Sequence, residues 1–251
     1  MPSTHKVAIV TGGGRGIGAA IARQLARDGH EVVVNYAGDA ASARAVVADI
    51  ESRGGRAIAL QADVSKEEDV LRLFRETDAQ LGVPTVLVNN GGITGGFSRV
   101  DEADARMLEQ VFGINVVGAF LCCREAVRRM SIRHGGRGGA IVNVSSRAAE
   151  IGGGGEWVHY AATKGALNTL TTGLAREVAL EGIRVNAVAA GLIETELHAA
   201  AGKPDRAARM APGIPMGRAG LPEEVAQSVA WLVSPSAGYV TAAIVAVAGG
   251  R

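Results

Sequence analysis

Aromatic side chains make up only 4% of the 251 residues: four Phe, three Tyr and two Trp. A core so poor in rings must be filled by small and branched aliphatic residues at close range. Only two cysteines occur, Cys122 and Cys123, adjacent in sequence. They read as small buried residues rather than a disulfide or metal pair, which fits a reducing compartment. The five histidines have no metal-ligand spacing, so no metal site is expected. Twenty-six basic residues face twenty-five acidic ones, for a net charge of +1. That balance argues against a broad nucleic-acid or membrane-surface role. No apolar run reads as long enough to span a bilayer, and Met1-Pro-Ser-Thr-His-Lys6 carries no signal-peptide pattern. The expected location is the cytoplasm.

Glycine and alanine are abundant, with 35 glycines. The length suits one domain, 1–251, with a sizeable core. Strand-like apolar runs fall at 7–11, 31–36, 57–61, 85–89, 140–145, 184–189 and 244–247. Helical patterns lie around 17–28, 40–53, 67–81, 102–133, 160–181 and 222–233. Strands alternating with helices predict an α/β fold: a doubly wound parallel sheet of about seven strands with helices on both faces. Glycine clusters at 135–139 and 152–155 read as loops. Residues 192–220, with Pro204, Pro212 and Pro215, read as an irregular insertion. It emerges from a strand's carboxyl end, where ligands bind in such sheets, so it is expected to act as a lid.

Two motifs carry chemistry. Tyr160 and Lys164 share a helix face at i and i+4, where an ammonium beside a phenol favours the phenolate. Such a tyrosine can exchange a proton near neutral pH. By itself the spacing also describes a solvent-facing pair. At the other end of the chain, a strand ending at Thr11 leads into Gly12-Gly-Gly-Arg15-Gly16-Ile17-Gly18 and then a helix closed by Gly29. Glycines there let the backbone approach a pyrophosphate, whose charge meets the free N–H groups of the helix start. Alone, this is also compatible with an ordinary strand-to-helix turn.

Together the motifs resemble the short-chain dehydrogenase/reductase family along essentially the whole chain. They occur in order: Thr11-Gly12-x-x-x-Gly16-x-Gly18, Asp63-Val64, Asn89-Asn90-Gly91-Gly92, Asn115, Ser145-Ser146, Tyr160-x-x-x-Lys164, and Val185-Asn186 through Gly191 to Thr195. The resemblance implies a Rossmann-type fold and hydride transfer between a nicotinamide and a carbonyl or secondary alcohol. It makes Tyr160 the acid/base, Lys164 its pKa partner and ribose holder, and Ser146 a hydrogen-bond donor to the substrate oxygen. Asn115 would hold a water near Lys164. Gly12, Arg15, Gly16, Ile17, Gly18, Asn35, Tyr36, Asp63, Val64, Asn90, Gly91, Gly92, Gly191, Ile193 and Thr195 would contact the cofactor. The nearest-looking members are 3-oxoacyl-acyl-carrier-protein reductases and sugar-alcohol dehydrogenases. A homotetramer is implied, with a dimer as the fallback. The chain departs from the family at Gly91, at Ala190 before Gly191, at Ala242 where glycine is usual, and at Ala246.

Several choices stay open. The motif favours Ser146 over Ser145, with the run 152–155 absorbing one extra residue before Tyr160. The second strand ends Asn35-Tyr36 without an acid, and Arg15 could pair with a 2′-phosphate, so NADP(H) is favoured over NAD. Trp157 reads either as a pocket wall or as packing under the lid. Arg124, Arg128, Arg129, Arg133 and Arg137 form a basic cluster that would either dock an acidic acyl-carrier protein or be a solvated face. A nucleotide-binding protein without turnover is the alternative from another class.

Overall fold

The computed structural model describes residues 6–196 and 205–251. Its strands are β1 (Val7–Val10), β2 (Glu31–Tyr36), β3 (Ala57–Gln61), β4 (Val86–Asn89), β5 (Gly139–Ser146), β6 (Ile183–Ala190) and β7 (Ile244–Val247). They form one parallel sheet in the order β3-β2-β1-β4-β5-β6-β7. The strands match the expected runs to within one residue at either end. The helices are α1 (Gly16–Arg27), α2 (Ala40–Ser52), α3 (Glu67–Gln80), α4 (Ala105–Phe112), α5 (Gly118–Met130), α6 (Ala148–Ile151), α7 (Val158–Val178), α8 (Arg206–Met210) and α9 (Pro222–Val233).

β1, β2, β4, β5 and β6 are buried on both sides, which explains their continuous aliphatic runs, while the edge strands β3 and β7 are partly exposed. Ala8, Val10, Val32, Val34, Val88 and Val142 pack under α1, α2 and α9. Val7, Ile9, Val33, Leu87, Ile141 and Val185 pack under α3, α5 and α7. The split follows the two-residue period of a strand. With few rings available, close approach does the filling. A Cβ at Gly118 of α5 would lie 2.8 Å from Val64 Cγ2.

The chain winds outward from β1 to β3, returns to β4, and winds the other way to β7. The order therefore reverses between β1 and β4. A crevice opens at such a switch point beyond the carboxyl ends of the strands.

Three features depart from what the sequence suggests. The expected helix 102–133 is instead α4 and α5 joined by a π turn, Gly113–Val117. Contrary to expectation, the helical stretch Ala105–Met130 is long and apolar enough to cross a membrane by length and composition, with a mean hydropathy of 1.3 over its most apolar 18 residues. Yet it packs Ala119, Cys122, Cys123, Ala126 and Met130 into the core, the arrangement of a helix lying on a sheet. The expected insertion contains the short helix α8 and a small apolar cluster of Leu192, Ile214 and Ala219. Residues 197–204 of that insertion lie outside the described residues.

Ala190, where the family carries proline, does not leave a loose turn. It is the last residue of β6, paired with Ser146 on one side and Val247 on the other. The ladder holds the turn without proline.

Ala242, just before β7, has φ +63° and is the only non-glycine residue with positive φ among the described residues. Its N–H donates to Val185 O at 2.8 Å, and the next N–H donates to Asn186 Oδ1 at 3.0 Å. The conformation is therefore imposed from β6. A left-handed alanine costs about 1–2 kcal/mol, against roughly 0.5–1 kcal/mol of extra chain entropy for glycine. Ala242→Gly is expected to raise unfolding stability by up to about 1 kcal/mol in urea titrations. A loss of stability would mean that the methyl's packing outweighs the strain.

Candidate active site

One cavity of about 460 Å³ follows the switch-point crevice. It is lined from the carboxyl ends of six strands, β1 to β6. All the residues expected to touch a cofactor line it: Gly12, Arg15, Gly16, Ile17, Gly18, Asn35, Tyr36, Asp63, Val64, Asn90, Gly91, Gly92, Tyr160, Lys164, Gly191, Ile193 and Thr195. Ser145, Ser146 and Trp157 line it as well.

Lining does not mean that every side chain is available. Asn90 Nδ2 donates to Thr11 O at 3.0 Å and Gly12 O at 3.1 Å. Thr11 Oγ1 accepts from the backbone N–H groups of Asn90 and Gly91 at 3.0 and 2.9 Å. Asn35 is buried, accepts from Gly12 N–H at 3.3 Å, and donates to Leu60 O and Ala62 O. Both asparagines brace the glycine turn. Asp63 Oδ1 accepts from the Ser65 N–H and hydroxyl at 3.1 and 2.7 Å.

The turn itself fits a diphosphate. A Cβ at Gly18 would lie 2.2 Å from Gly12 O, so the first turn of α1 lies directly on the loop. The helix N-cap, Arg15, makes no side-chain cap bond, which leaves first-turn N–H groups for an anion. Arg15 is exposed at the cavity rim, and its charge helps lower the Asp39 carboxyl. The larger causes of that lowering are the Ser42 hydroxyl and N–H, because Asp39 caps α2.

At the other functional cluster, β5 carries both serines and alternation separates them. Ser145 is buried and donates to Asn168 Oδ1 at 2.6 Å, with Lys164 O at 3.3 Å. It ties β5 to α7. Ser146 accepts from Ala148 N–H at 3.1 Å and hydrogen-bonds Tyr160. Of the two serines, Ser146 is the one bonded to Tyr160. The glycine run 152–155 does form a tight turn before α7. Gly153 has φ +65°, and a Cβ there would lie 2.8 Å from Trp157 O. Trp157 N–H closes the turn onto Gly153 O at 2.8 Å.

Tyr160 and Lys164 stand one turn apart on α7, both buried. Lys164 Nζ donates to Val144 O at 2.8 Å and lies 5.6 Å from the Tyr160 ring centre. The expected lowering of the phenol by the ammonium is not what dominates. Burial pushes Tyr160 up to about 12, partly offset by the hydrogen bond with Ser146. Burial pushes Lys164 down to about 8. Both shifts favour neutral forms, as expected for groups withdrawn from water.

Asn115 does not line the cavity. It lies in the π turn, 1% exposed, and grips Ile93 by accepting from its N–H and donating to its C=O, both at 2.8 Å. Nδ2 also donates to Thr163 Oγ1 at 3.0 Å. Asn115 Oδ1 would be 3.1 Å from a Cβ at Gly92, and Lys164 Nζ would be 3.7 Å from the same point. Asn115 thus fixes the loop after β4 against α7. Its partner Thr163, between Tyr160 and Lys164, carries no mark in the sequence that would have singled it out.

The basic cluster is mostly spent internally. It centres on Glu125, an acid hidden among the arginines of the sequence and only 3% exposed. Arg128 and Arg129 each reach Glu125 at 2.8 Å, and Arg124 reaches it at 3.1 Å. Arg124 also pairs with Glu67, and Arg129 with Asp78. No group of three potential metal ligands occurs among the described residues.

The fold and this cavity define a dinucleotide-binding oxidoreductase architecture. A family model described as enoyl-(acyl carrier protein) reductase matches residues 12–251. The chain is 50% identical over 245 residues to the uncharacterized oxidoreductase YgfF of Escherichia coli K12, covering 98% of this chain and 99% of that protein. It is 40% identical over 250 residues to a 3-oxoacyl-(acyl-carrier-protein) reductase, FabG, of Staphylococcus epidermidis, covering 98% of each. A short-chain dehydrogenase from Burkholderia cenocepacia, solved with NADP, superposes with a TM-score of 0.88 at 33% identity, covering 98% of this chain and 97% of that one. The chain belongs to the short-chain dehydrogenase/reductase family.

Lys164 makes a stability prediction. Its folded pKa lies below the ordinary lysine value of 10.5. Below pH 8 the fold carries the full cost of a buried ammonium. Between pH 8 and 10.5 the unfolded chain keeps its proton while the folded one has lost it, so the cost fades. Lys164→Met is expected to stabilise the fold by roughly 1–3 kcal/mol at pH 7, because each tenfold loss of proton affinity on folding costs about 1.4 kcal/mol. The gain should shrink towards zero by pH 10.5. Denaturant titrations at pH 7 and pH 10 measure it, and a gain that grows with pH would contradict the assignment.

Proposed function

We propose that this protein is an NADP(H)-dependent reductase of small carbonyl compounds, working in reverse as a secondary-alcohol dehydrogenase. The observation that carries this reading is the meeting of Ser146, Tyr160 and Lys164 in the cavity that also receives the uncapped start of α1. A bound nicotinamide supplies the hydride for the carbonyl carbon. Ser146 donates a hydrogen bond to the carbonyl oxygen, an interaction that strengthens as that oxygen gains charge. Tyr160 gives its phenolic proton to the same oxygen, so C=O becomes CH–OH. Lys164 stands behind Tyr160 and favours the phenolate left after transfer. Water from the solvent reprotonates Tyr160. Arg15 at the rim supports a 2′-phosphate, and β2 ends without the acid that would bond a free ribose hydroxyl.

An acyl group on a carrier protein is the second reading, favoured by the activity for which the FabG relative is named. The pairing of Arg124 and Arg129 with Glu67, Asp78 and Glu125 weakens it, since little unpaired charge remains for docking. We propose that the exposed apolar side chains Phe112, Val117 and Phe120 of the α4–α5 stretch form a contact in a homotetramer, and that the protein works in the cytoplasm.

A carbonyl panel followed by nicotinamide absorbance tests the reading. Tyr160→Phe is expected to lower kcat by about two to four decades while leaving NADPH affinity near wild type. Substantial residual kcat would remove Tyr160 from the proton step. Arg15→Ala is expected to raise KM for NADPH by about one to two decades, with KM for NADH almost unchanged. Equal effects on the two cofactors would restore the NAD reading.

A further inference from the structure

Arg206 is one of the most buried cations in the chain, at 6% exposure, although it lies on the short helix α8. Its guanidinium forms a two-pronged pair with Glu156, with Nη1 to Oε1 at 2.8 Å and Nη2 to Oε2 at 2.6 Å. It also lies 4.5 Å from the centre of the Trp157 ring and 5.4 Å from that of Phe97. Phe97 stacks on Trp157 at 4.7 Å. These three separations bring the guanidinium, the Phe97 ring and the indole into one mutual contact. Trp157 in turn meets Tyr160 edge-on at 5.7 Å and lines the cavity.

Three separate segments converge here. Phe97 comes from the loop after β4, and Ser98 N–H donates to Glu156 O at 2.9 Å. Glu156 and Trp157 come from the turn before α7, and Arg206 comes from beyond β6. A planar guanidinium can pair with a carboxylate through its edge while its face lies on aromatic rings, which a lysine cannot do.

We infer that Arg206 is a positioning residue that sets the Trp157 ring as the substrate-facing wall beside Tyr160, and that this wall selects carbonyl compounds with a flat apolar group next to the C=O. The inference deepens the proposed reductase reading and rests on it for the substrate class. A carbonyl oxygen within reach of Ser146 and Tyr160 puts its substituent against the neighbouring indole. Glu156 cancels the charge of Arg206, so the wall offers an aromatic surface rather than a cation. A carboxylate or phosphate at that place gains nothing from Arg206, and it would lose hydration against the ring. Arg206 does not line the cavity, so its influence runs through Trp157.

The test uses the full chain with Trp231→Phe as background, leaving Trp157 as the single tryptophan. Arg206→Ala and the same-sized Glu156→Gln are compared with Arg206→Lys, using an aryl ketone and a small aliphatic ketone. The expected result is a rise in KM for the aryl ketone of about tenfold in the first two variants, the scale of a buried cation–π contact. KM for the aliphatic ketone, kcat and NADPH affinity should stay near wild type. Arg206→Lys should not restore the aryl KM, because it lacks the fork. Trp157 emission should shift to the red and become more quenchable by acrylamide in Arg206→Ala and Glu156→Gln alike. An unchanged aryl KM, a parallel loss of NADPH affinity, or full rescue by Arg206→Lys would overturn the inference. The emission readout needs no turnover. If no carbonyl is reduced at all, the reductase reading and the substrate class fall, while Trp157 emission still decides whether Arg206 holds the ring.

Discussion

Asn90 spans the gap between β1 and β4 with one side-chain amide, donating to Thr11 O and Gly12 O. This short tie lies where the strand order reverses, and the strands there have no room for a helix between them. The Thr11 hydroxyl reinforces it by accepting from the Asn90 and Gly91 N–H groups, so the glycine turn and the loop after β4 are held together rather than across the crevice. With it, Gly12 is held so close to α1 that residue 18 has no space for a Cβ. The opening of the crevice is thus bounded by backbone, and the two Asn90 bonds that help shape it are worth roughly 1 kcal/mol each in net stability. Asn35 repeats the arrangement from the β2 side.

Behind the catalytic candidates stands a second layer of polar braces. Asn115 grips Ile93, Thr163 joins Asn115 to the Tyr160 carbonyl, and Ser145 joins β5 to Asn168. Each is buried or half-buried, where a missing partner would cost about 1–3 kcal/mol. Their effect is to fix α7 in rotation. Tyr160 and Lys164 can then be buried against their own solvation preference, the phenol raised and the ammonium lowered, because the helix that carries them cannot turn to expose them.

The strands were legible in the sequence because a sheet covered on both faces needs uninterrupted aliphatic runs, and glycine turns punctuate them. The membership of the cavity was legible for a related reason. Its residues sit at strand ends, and strand ends are what hydrophobic runs delimit best. Roles were harder to read. Asn35 and Asn90 look like ligand contacts from their positions, but the bonds that brace the glycine turn run to partners 23 to 79 residues away, and nothing local reveals them. Glu125 was hidden among arginines that seemed to form an exposed cluster. The π turn leaves no mark in a hydrophobic pattern, since it lies in the nearly continuous apolar run 111–123, where a shift of phase cannot be read. The Arg206–Glu156 pair spans 50 residues and two irregular segments, where neither period nor turn chemistry says which face meets which.

The π turn also bears on how this helix can change over time. It is a single-residue insertion absorbed within one continuous rod, Ala105–Met130. Removing any one residue of Gly113–Val117 would restore ordinary α geometry and leave the outer faces of α4 and α5 in line, because the wide turn is what absorbs the extra residue. The amide of Asn115 would swing away from Ile93, and the loop after β4 would lose its anchor on α7. Substitutions can accumulate on either side of this turn with local effects. A change of length there would act first on Asn115, in the stretch between Asp104, which caps α4, and Gly118, which seats on Val64.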